Sequence, residues 1–320
     1  MIGMANVRNL FRKILKFGLF IPVSNLMLLY GRRILPERFL DRIFLKRNRH
    51  IECIIDKVSK TQIVSVHSEK PEGKSPIWFF WMQGVDAMPK IPALCLKYLH
   101  KNANGHSIVV LDRHNIREYA NIPDYIFSLL ESGSMTRTHF SDILRLALLS
   151  EHGGFWVDAT MLAVKPVPET IFSEPLFTIK NWPQGLYVSE CRWTGFCLAS
   201  WKGNVLTSNA YQMLIDYWKN TDVQVDYFII DYIFDILYNK SEDVMEAIDK
   251  VPYSNERLHD LAPILCNKFD KDAFSELTAD TYMFKLSWKT YTEEELLRDK
   301  DNYYNHLLKE VDGQDTFASV

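Results

Sequence analysis

One stretch constrains the fold of this chain more than any other: Ser141–Thr160, which reads SDILRLALLSEHGGFWVDAT. Its first half has the spacing of an amphipathic helix. Ile143, Leu144, Leu146, Ala147, Leu148 and Leu149 make a broad apolar face, and Asp142 and Arg145 share one side three residues apart. His152-Gly153-Gly154 should end the helix, because glycine takes the left-handed backbone that a helix C-terminus favours. Phe155-Trp156-Val157 then reads as a short buried strand, and Asp158 is the first charge beyond it. A carboxylate at the carboxyl end of such a strand lies where open α/β sheets bind ligands. The same residues suit a core helix and strand that end in an incidental surface aspartate, so the pattern alone leaves both readings open.

The elements around this stretch predict an α/β protein. Ile77–Met82 is an apolar run of strand length closed by Gln83-Gly84, Pro92–Lys101 reads as a helix, and Ser107–Leu111 is a second strand. Helical pieces are expected over residues 116–131 around Pro123. Met161–Val164 runs into Pro166 and Pro168, which stop regular structure, and further strands are expected at Leu176–Lys180 and Cys197–Trp201. Ser208–Trp218 and Tyr227–Tyr238 have helical periodicity, residues 240–280 read as connecting helices, and Phe284–Lys289 is a short alternating segment. Strands interleaved with helices argue for one mixed, mostly parallel sheet flanked by helices. The polar run Ser68–Pro76 marks a boundary, giving an N-terminal segment at 1–75, a main domain at 76–310 and a polar tail at 311–320. Asp226 and Asp231 flank or interrupt the apolar Tyr227–Tyr238 helix, so each is either on a solvated stripe or directed at a site, as an acceptor-side or lining residue.

The first fifty residues differ in character. Arg8, Arg12, Lys13 and Lys16 precede the weakly apolar segment Phe17–Tyr30, and Arg32, Arg33, Arg38, Arg42, Lys46, Arg47 and Arg49 follow it. That segment is shorter than the roughly 20 residues a spanning helix needs, and Pro22 and Asn25 interrupt it. No small-residue cleavage site follows, which argues against a signal peptide. Basic flanks around such a segment fit a helix lying in an anionic membrane interface, with contact through residues 8–50. A helical hairpin packed on the main domain is the alternative. The five cysteines contain no CxxC pair, and Cys53, Cys95 and Cys266 lie in apolar runs. Reduced thiols and a cytoplasmic location, peripheral on the inner face of the membrane, are therefore expected. A net charge of -3 gives no sign of a nucleic-acid surface.

Common site types are absent from the sequence. There is no GxGxxG or GxxxxGK[ST] loop, no HExxH, no Cys/His zinc spacing and no GxSxG elbow. What remains is Asp158 with Thr160 two positions on, which project to the same side if the chain stays extended. That oxygen pair is suited to Mg²⁺ or Mn²⁺, ions that keep several waters and bridge phosphates. Lys285 and Lys289 are placed to neutralise a diphosphate leaving group, whose negative charge develops as its bond breaks.

From Ile77 to about Lys289 the chain resembles the capsular polysaccharide synthesis protein family of bacterial glycosyltransferases. These are related to the DXD-containing sugar transferases that include yeast mannosyltransferases and the glucosylating clostridial toxins. IWFFWMQG at 77–84 is similar to the family's opening strand, which ends in a Trp and a polar-Gly turn. SDILRLALLSEHGGFWVDAT is similar to its pattern of Ser-Asp-x-x-Arg, a helix, Gly-Gly, aromatic, aliphatic and Asp-x-(Asp/Thr). FKLSWK at 284–289 resembles a C-terminal Lys-Leu-(Ser/Thr)-aromatic-Lys segment. Residues 1–75 carry little or none of the resemblance.

The resemblance implies a GT-A-type fold, a nucleotide-diphospho-sugar donor (a UDP-sugar favoured), a saccharide or lipid-linked glycan acceptor, and a divalent cation, Mn²⁺ or Mg²⁺. Carried over by position, Trp81, Gln83 and Gly84 would lie at the donor, with Trp81 stacked on its base. Asp142 and Arg145 would contact the donor sugar, and Asp158, reached through the Gly154 turn, would bind metal and diphosphate with Thr160. Lys285, Ser287, Trp288 and Lys289 would close over the diphosphate. Asp142, Arg145 and Asp158 form the catalytic set, and transfer would retain anomeric configuration. Thr160 stands where many relatives have a second Asp, so fewer negative ligands face the ion and metal affinity should fall. That departure keeps a second class of function in view, a catalytically lapsed nucleotide-sugar-binding or scaffold protein. A metal-assisted phosphate-ester hydrolase is the least supported reading, because such sites gather several carboxylates and histidines.

Overall fold

The computed structural model describes residues 4–181 and 187–312. Three N-terminal helices, α1 (Met4–Phe17), α2 (Phe20–Tyr30) and α3 (Glu37–Ser59), precede the first strand. The body then runs β1 (Ile77–Phe80), α4 (Lys90–Asn102), β2 (Ile108–Leu111), α5 (Ile116–Tyr119), α6 (Asp124–Glu131), α7 (Arg137–His152), β3 (Gly154–Val157) and β4 (Met161–Ala163). It continues through α8 (Thr170–Ser173), β5 (Leu176–Thr178), β6 (Cys197–Ser200), α9 (Val205–Asn220), α10 (Ile229–Lys240) and α11 (Glu242–Asp249). The last elements are α12 (Lys271–Leu277), β7 (Met283–Lys285), α13 (Glu293–Arg298) and α14 (Tyr303–Asp312). The expected strands and helices are present, with ends shifted by a few residues. Of the polar tail, residues 313–320 lie outside the described residues.

The strands form a five-stranded sheet in the order β2-β1-β3-β6-β5. β2, β1 and β3 are parallel neighbours, with Ile77 opposite both Ile108 and Phe155. β6 runs antiparallel to both β3 and β5, so four strands share one direction. The mixed, mostly parallel sheet expected from the sequence is thus present. β4 and β7 form a separate antiparallel ribbon in which Met161 faces Lys285, rather than joining a single sheet.

Strand residues are mostly apolar because both faces of the sheet are covered. Ile77, Phe79, Phe155 and Val157 belong to one core cluster, and Trp78, Phe80 and Trp156 to the other, as period-two alternation requires. The second of these clusters also holds Ile51 and Ile55 of α3 together with α7, α9 and α10. α3 is therefore part of the main core, and packing is continuous across the boundary drawn at residue 75. Residues 4–50 form α1, α2 and the first half of α3.

α7 is buried through most of its middle, from His139 to Leu149, and its N-cap Thr136 accepts the His139 N–H at 3.2 Å. The Gly153-Gly154 turn has a steric cause. Both residues have positive φ, and a Cβ on Gly154 would stand 2.5 Å from the Pro76 carbonyl oxygen, so only glycine lets β3 pair closely with the chain entering β1.

Candidate active site

Because β1 and β3 are parallel, Trp81 and Asp158 emerge at the same carboxyl edge of the sheet. β6 runs the other way, so the residue preceding it arrives at that edge too, and the Phe196 carbonyl accepts the Asp158 N–H at 2.9 Å. The chain then turns, with the Asp158 carbonyl accepting from the Met161 N–H at 2.9 Å, and leads directly into β4. That turn departs from the extended geometry under which Asp158 and Thr160 share a side, because the chain must leave the sheet to start the β4–β7 ribbon. The ribbon in turn brings Lys285 back to Asp158.

The Asp158 carboxylate is fully engaged. Oδ1 accepts from Arg145 Nη2 at 3.1 Å and from Trp156 Nε1 at 2.9 Å, and Oδ2 accepts from Lys285 Nζ at 3.0 Å. Burial acts to raise its pKa, but Lys285 and Arg145 outweigh that effect and hold the carboxyl below its ordinary value, so it stays ionised. Arg145 also pairs with Asp142 Oδ1 at 3.2 Å through Nη1, using the two ends of its planar fork to join α7 to the end of β3. Its Nε is buried and makes no hydrogen bond among the described residues. Asp142 has a second neighbour in His139, whose Nδ1 lies 3.5 Å from Oδ2. The other ring nitrogen of His139 accepts from Trp218 Nε1 at 2.7 Å, which places the ring proton on the side facing Asp142.

At the outer rim, Trp81 and Trp288 meet edge to face with centroids 5.9 Å apart, and Lys289 lies over the Trp288 ring at 5.2 Å. Ser287 accepts from the Lys289 N–H at 3.3 Å. Gly84 has positive φ in the turn after β1, and Gln83 beside it is exposed. The structure therefore groups Asp142, Arg145, Asp158 and Lys285 in one ion-paired cluster and Trp81 with Trp288 in an aromatic rim.

Of the other residues expected at the site, Gly154 and Asp226 lie elsewhere, and Asp231 lies beside the cluster. Gly154 opens β3, four residues and roughly 13 Å of strand before Asp158, and its role is the close packing described above. Asp226 is buried in an ion pair with Arg47 at 2.5 Å, which ties α3 to the start of α10, so it is a structural carboxylate. Asp231 lines a cavity next to the cluster and accepts from Trp193 Nε1 at 3.0 Å. Burial, foremost, and then the nearby Asp142 push its carboxyl up to about 7 against the opposing Trp193 bond. Sequence reasoning missed Trp156 and His139. Each had a signal: Trp156 is two residues before Asp158 on a strand, and His139 is three before Asp142 on a helix.

All five cysteines are free, as expected. Cys53, however, is exposed on α3 and Cys266 is half-buried, because the apolar runs around them turn other residues inward. Among the described residues no group of three or more His, Cys, Asp or Glu side chains could hold a metal ion, and no helix is long and apolar enough to cross a membrane.

Four co-directional strands thus present an ionised aspartate, with two cations clamped on it, at the carboxyl edge of an α/β sheet. The chain belongs to the capsular polysaccharide synthesis protein family, whose family model matches residues 33–307. The family is one of capsular polysaccharide synthesis. The family match begins within the N-terminal segment and takes in α3, which agrees with the place of that helix in the core. No curated protein matches the chain. Among solved structures it is similar to the "PaToxG Glycosyltransferase", with 14% identity and a TM-score of 0.38, covering 85% of this chain and 97% of that one.

Proposed function

We propose that the protein moves a glycosyl unit from a nucleotide-diphospho-sugar, a UDP-sugar in the favoured case, to a saccharide acceptor with retention of anomeric configuration. The observation that carries this reading is the clamp of Lys285 and Arg145 on Asp158, with Arg145 bridging on to Asp142. Lys285 and Lys289 meet the diphosphate, Arg145 and Asp142 bind sugar hydroxyls, and the Trp81–Trp288 rim takes the base. In transfer, the acceptor oxygen bonds to the anomeric carbon as the bond from that carbon to the diphosphate oxygen breaks. The diphosphate leaves with the bonding electrons, and the acceptor proton passes to the departing phosphate oxygen on the same face. Lys285 offsets the charge that develops on that oxygen.

A divalent ion fits this site only in company with the donor. Both Asp158 oxygens already accept hydrogen bonds, and Thr160 adds one neutral oxygen, so most of the ion's ligands would have to be diphosphate oxygens and water. Asp158 and Thr160 would hold Mn²⁺ or Mg²⁺, which supplies further neutralisation of the diphosphate when bound. Metal titration by calorimetry should show little heat without nucleotide and clear binding with UDP present.

The N-terminal helices support a membrane surface as the place where the acceptor is met. Phe11, Leu15, Leu19, Leu26, Leu29 and Tyr30 are exposed on α1 and α2, and α1 is held to the body by an ion pair between Arg12 and Asp222. Exposed apolar side chains among arginines and lysines favour an anionic lipid surface, where a lipid-linked glycan would be met. Because α3 is core, the informative change is in α1 and α2. Leu15→Glu with Leu29→Glu should release the protein from phosphatidylglycerol vesicles in co-sedimentation while its fold persists, and unchanged binding would refute the contact.

Incubation with UDP- and GDP-sugars and Mn²⁺ tests the main reading. Nucleotide release that disappears in Asp158→Asn is expected. Donor binding without release in the parent protein would favour a lapsed, sugar-nucleotide-binding relative.

A further inference from the structure

A cavity of about 500 Å³ adjoins the ion-paired cluster and has no part in the donor site as described. Its volume falls within the roughly 300–1,000 Å³ of small-molecule sites. α3, the segment from Tyr187 to Phe196, α10 and the loop at 256–260 enclose it. Trp81 and Trp288 are not among its lining residues, so it is distinct from the aromatic rim.

Its inner wall abuts the reaction centre. Gly195 lies against Arg145, since a Cβ there would come within 2.7 Å of Nη1. The Phe196 carbonyl holds the Asp158 N–H, and the Phe196 ring lies 4.5 Å from Lys285 Nζ. A molecule in the cavity is therefore one residue's thickness from the group that faces the donor diphosphate.

The lining suits a neutral polyhydroxylated ligand. Trp193, Phe196, Phe228 and Tyr232 offer apolar ring surface, and Asp231 and Asp260 offer hydrogen-bonding oxygens. Arg47, the arginine of the lining, is already paired with Asp226. With carboxylates present and that arginine spent, the cavity is poorly matched to a second diphosphate. Asp231 projects from the first turn of α10 with Oδ1 held by Trp193, and among the described residues Oδ2 has no hydrogen-bond partner. It is a carboxyl fixed in position with one oxygen left to offer.

We propose that this cavity is the acceptor subsite, and that it takes a neutral saccharide residue with one hydroxyl hydrogen-bonded to Asp231. The assignment rests on the transferase reading and adds to it where the acceptor enters: from the side of α10 and α3, across the Gly195–Phe196 wall from Asp158. Phe44 of α3 lines the same cavity, so the helix that follows the exposed apolar and basic segment also forms part of the acceptor's entrance.

The test uses the full chain with two variants. Asp231→Asn keeps shape and removes the carboxylate, and Glu256→Trp places a bulky side chain at an exposed rim position. Saturation-transfer NMR with a panel of methyl glycosides (hexoses, N-acetylhexosamines and 6-deoxyhexoses) at millimolar concentration reads saccharide binding directly. Release of UDP from the donor, with and without the glycosides, reads turnover. Saturation transfer to at least one glycoside is expected in the parent protein, with loss in Glu256→Trp and a rise of roughly tenfold in the KM for that glycoside in Asp231→Asn. Saturation transfer that is absent for every glycoside, or that survives both variants unchanged, overturns the assignment. So does a fall in donor affinity that tracks the fall in glycoside binding, since the cavity would then be part of the donor site. If no UDP- or GDP-sugar binds at all while glycosides still saturate through the cavity, the transferase reading has failed and the saccharide site has not.

Discussion

Asp158 and Asp231 both feel the charge of Arg145 and show how differently one fold can treat the same side chain. Asp158 ends an apolar strand and Asp231 sits in the first turn of an apolar helix, and burial acts on both to favour the neutral form. Lys285 and Arg145 reverse that effect at Asp158 and keep it charged. Asp231 has one indole N–H within reach and a like-charged neighbour in Asp142, so its carboxyl rises to about 7. Partner charges, and not depth alone, decide which acid is a permanent anion for the donor end and which is free to donate or accept for the other substrate.

Removing Asp158 should break this contrast most severely. Asp158→Ala leaves Lys285 and Arg145 without their shared partner, with an expected loss of about 3–5 kcal/mol in stability measured by urea unfolding, and no detectable transfer. Lys285→Met makes Asp158 resemble Asp231. Its carboxyl pKa should rise, and kcat should fall roughly 10²–10³-fold while the fold persists by circular dichroism. Arg145→Lys keeps the charge but loses the fork that reaches Asp142 and Asp158 together. A fall of roughly tenfold to a hundredfold in kcat/KM, about 1.4–3 kcal/mol, is expected in donor-hydrolysis assays.

Asp231 sharpens the comparison through pH. Its folded pKa lies above its unfolded value, so the folded state binds the extra proton between about pH 4 and 7. Stability from this group is full at the acid end and is lost as pH rises towards 7. Asp231→Asn removes that loss, so its melting temperature should gain on the parent protein more at pH 8 than at pH 5. The smallest effect is expected at Thr160: Thr160→Asp adds a carboxylate beside Asp158 and should tighten Mn²⁺ binding in the presence of UDP with little change in unfolding.

Much of this was legible in the chain. The apolar runs Ile77–Phe80, Ile108–Leu111 and Phe155–Val157 determined buried strands, the Gly153-Gly154 pair determined the turn between α7 and β3, and the i, i+3 spacing put Asp142 and Arg145 on one face. Local periodicity and backbone sterics settle such features, and both are written in adjacent residues. Only the tertiary structure decided the rest. That Lys285 meets Asp158 follows from the β4–β7 pairing across more than a hundred residues, and that α3 belongs to the core follows from its packing with α9 and α10. Asp226 and Asp231 looked alike in sequence, five residues apart, and were separated by what lay opposite them. Arg47 reached one to form a buried structural pair, and Trp193 with an open cavity faced the other. A charge reports its presence in the sequence, but its energy depends on partners and solvent that only folding assembles.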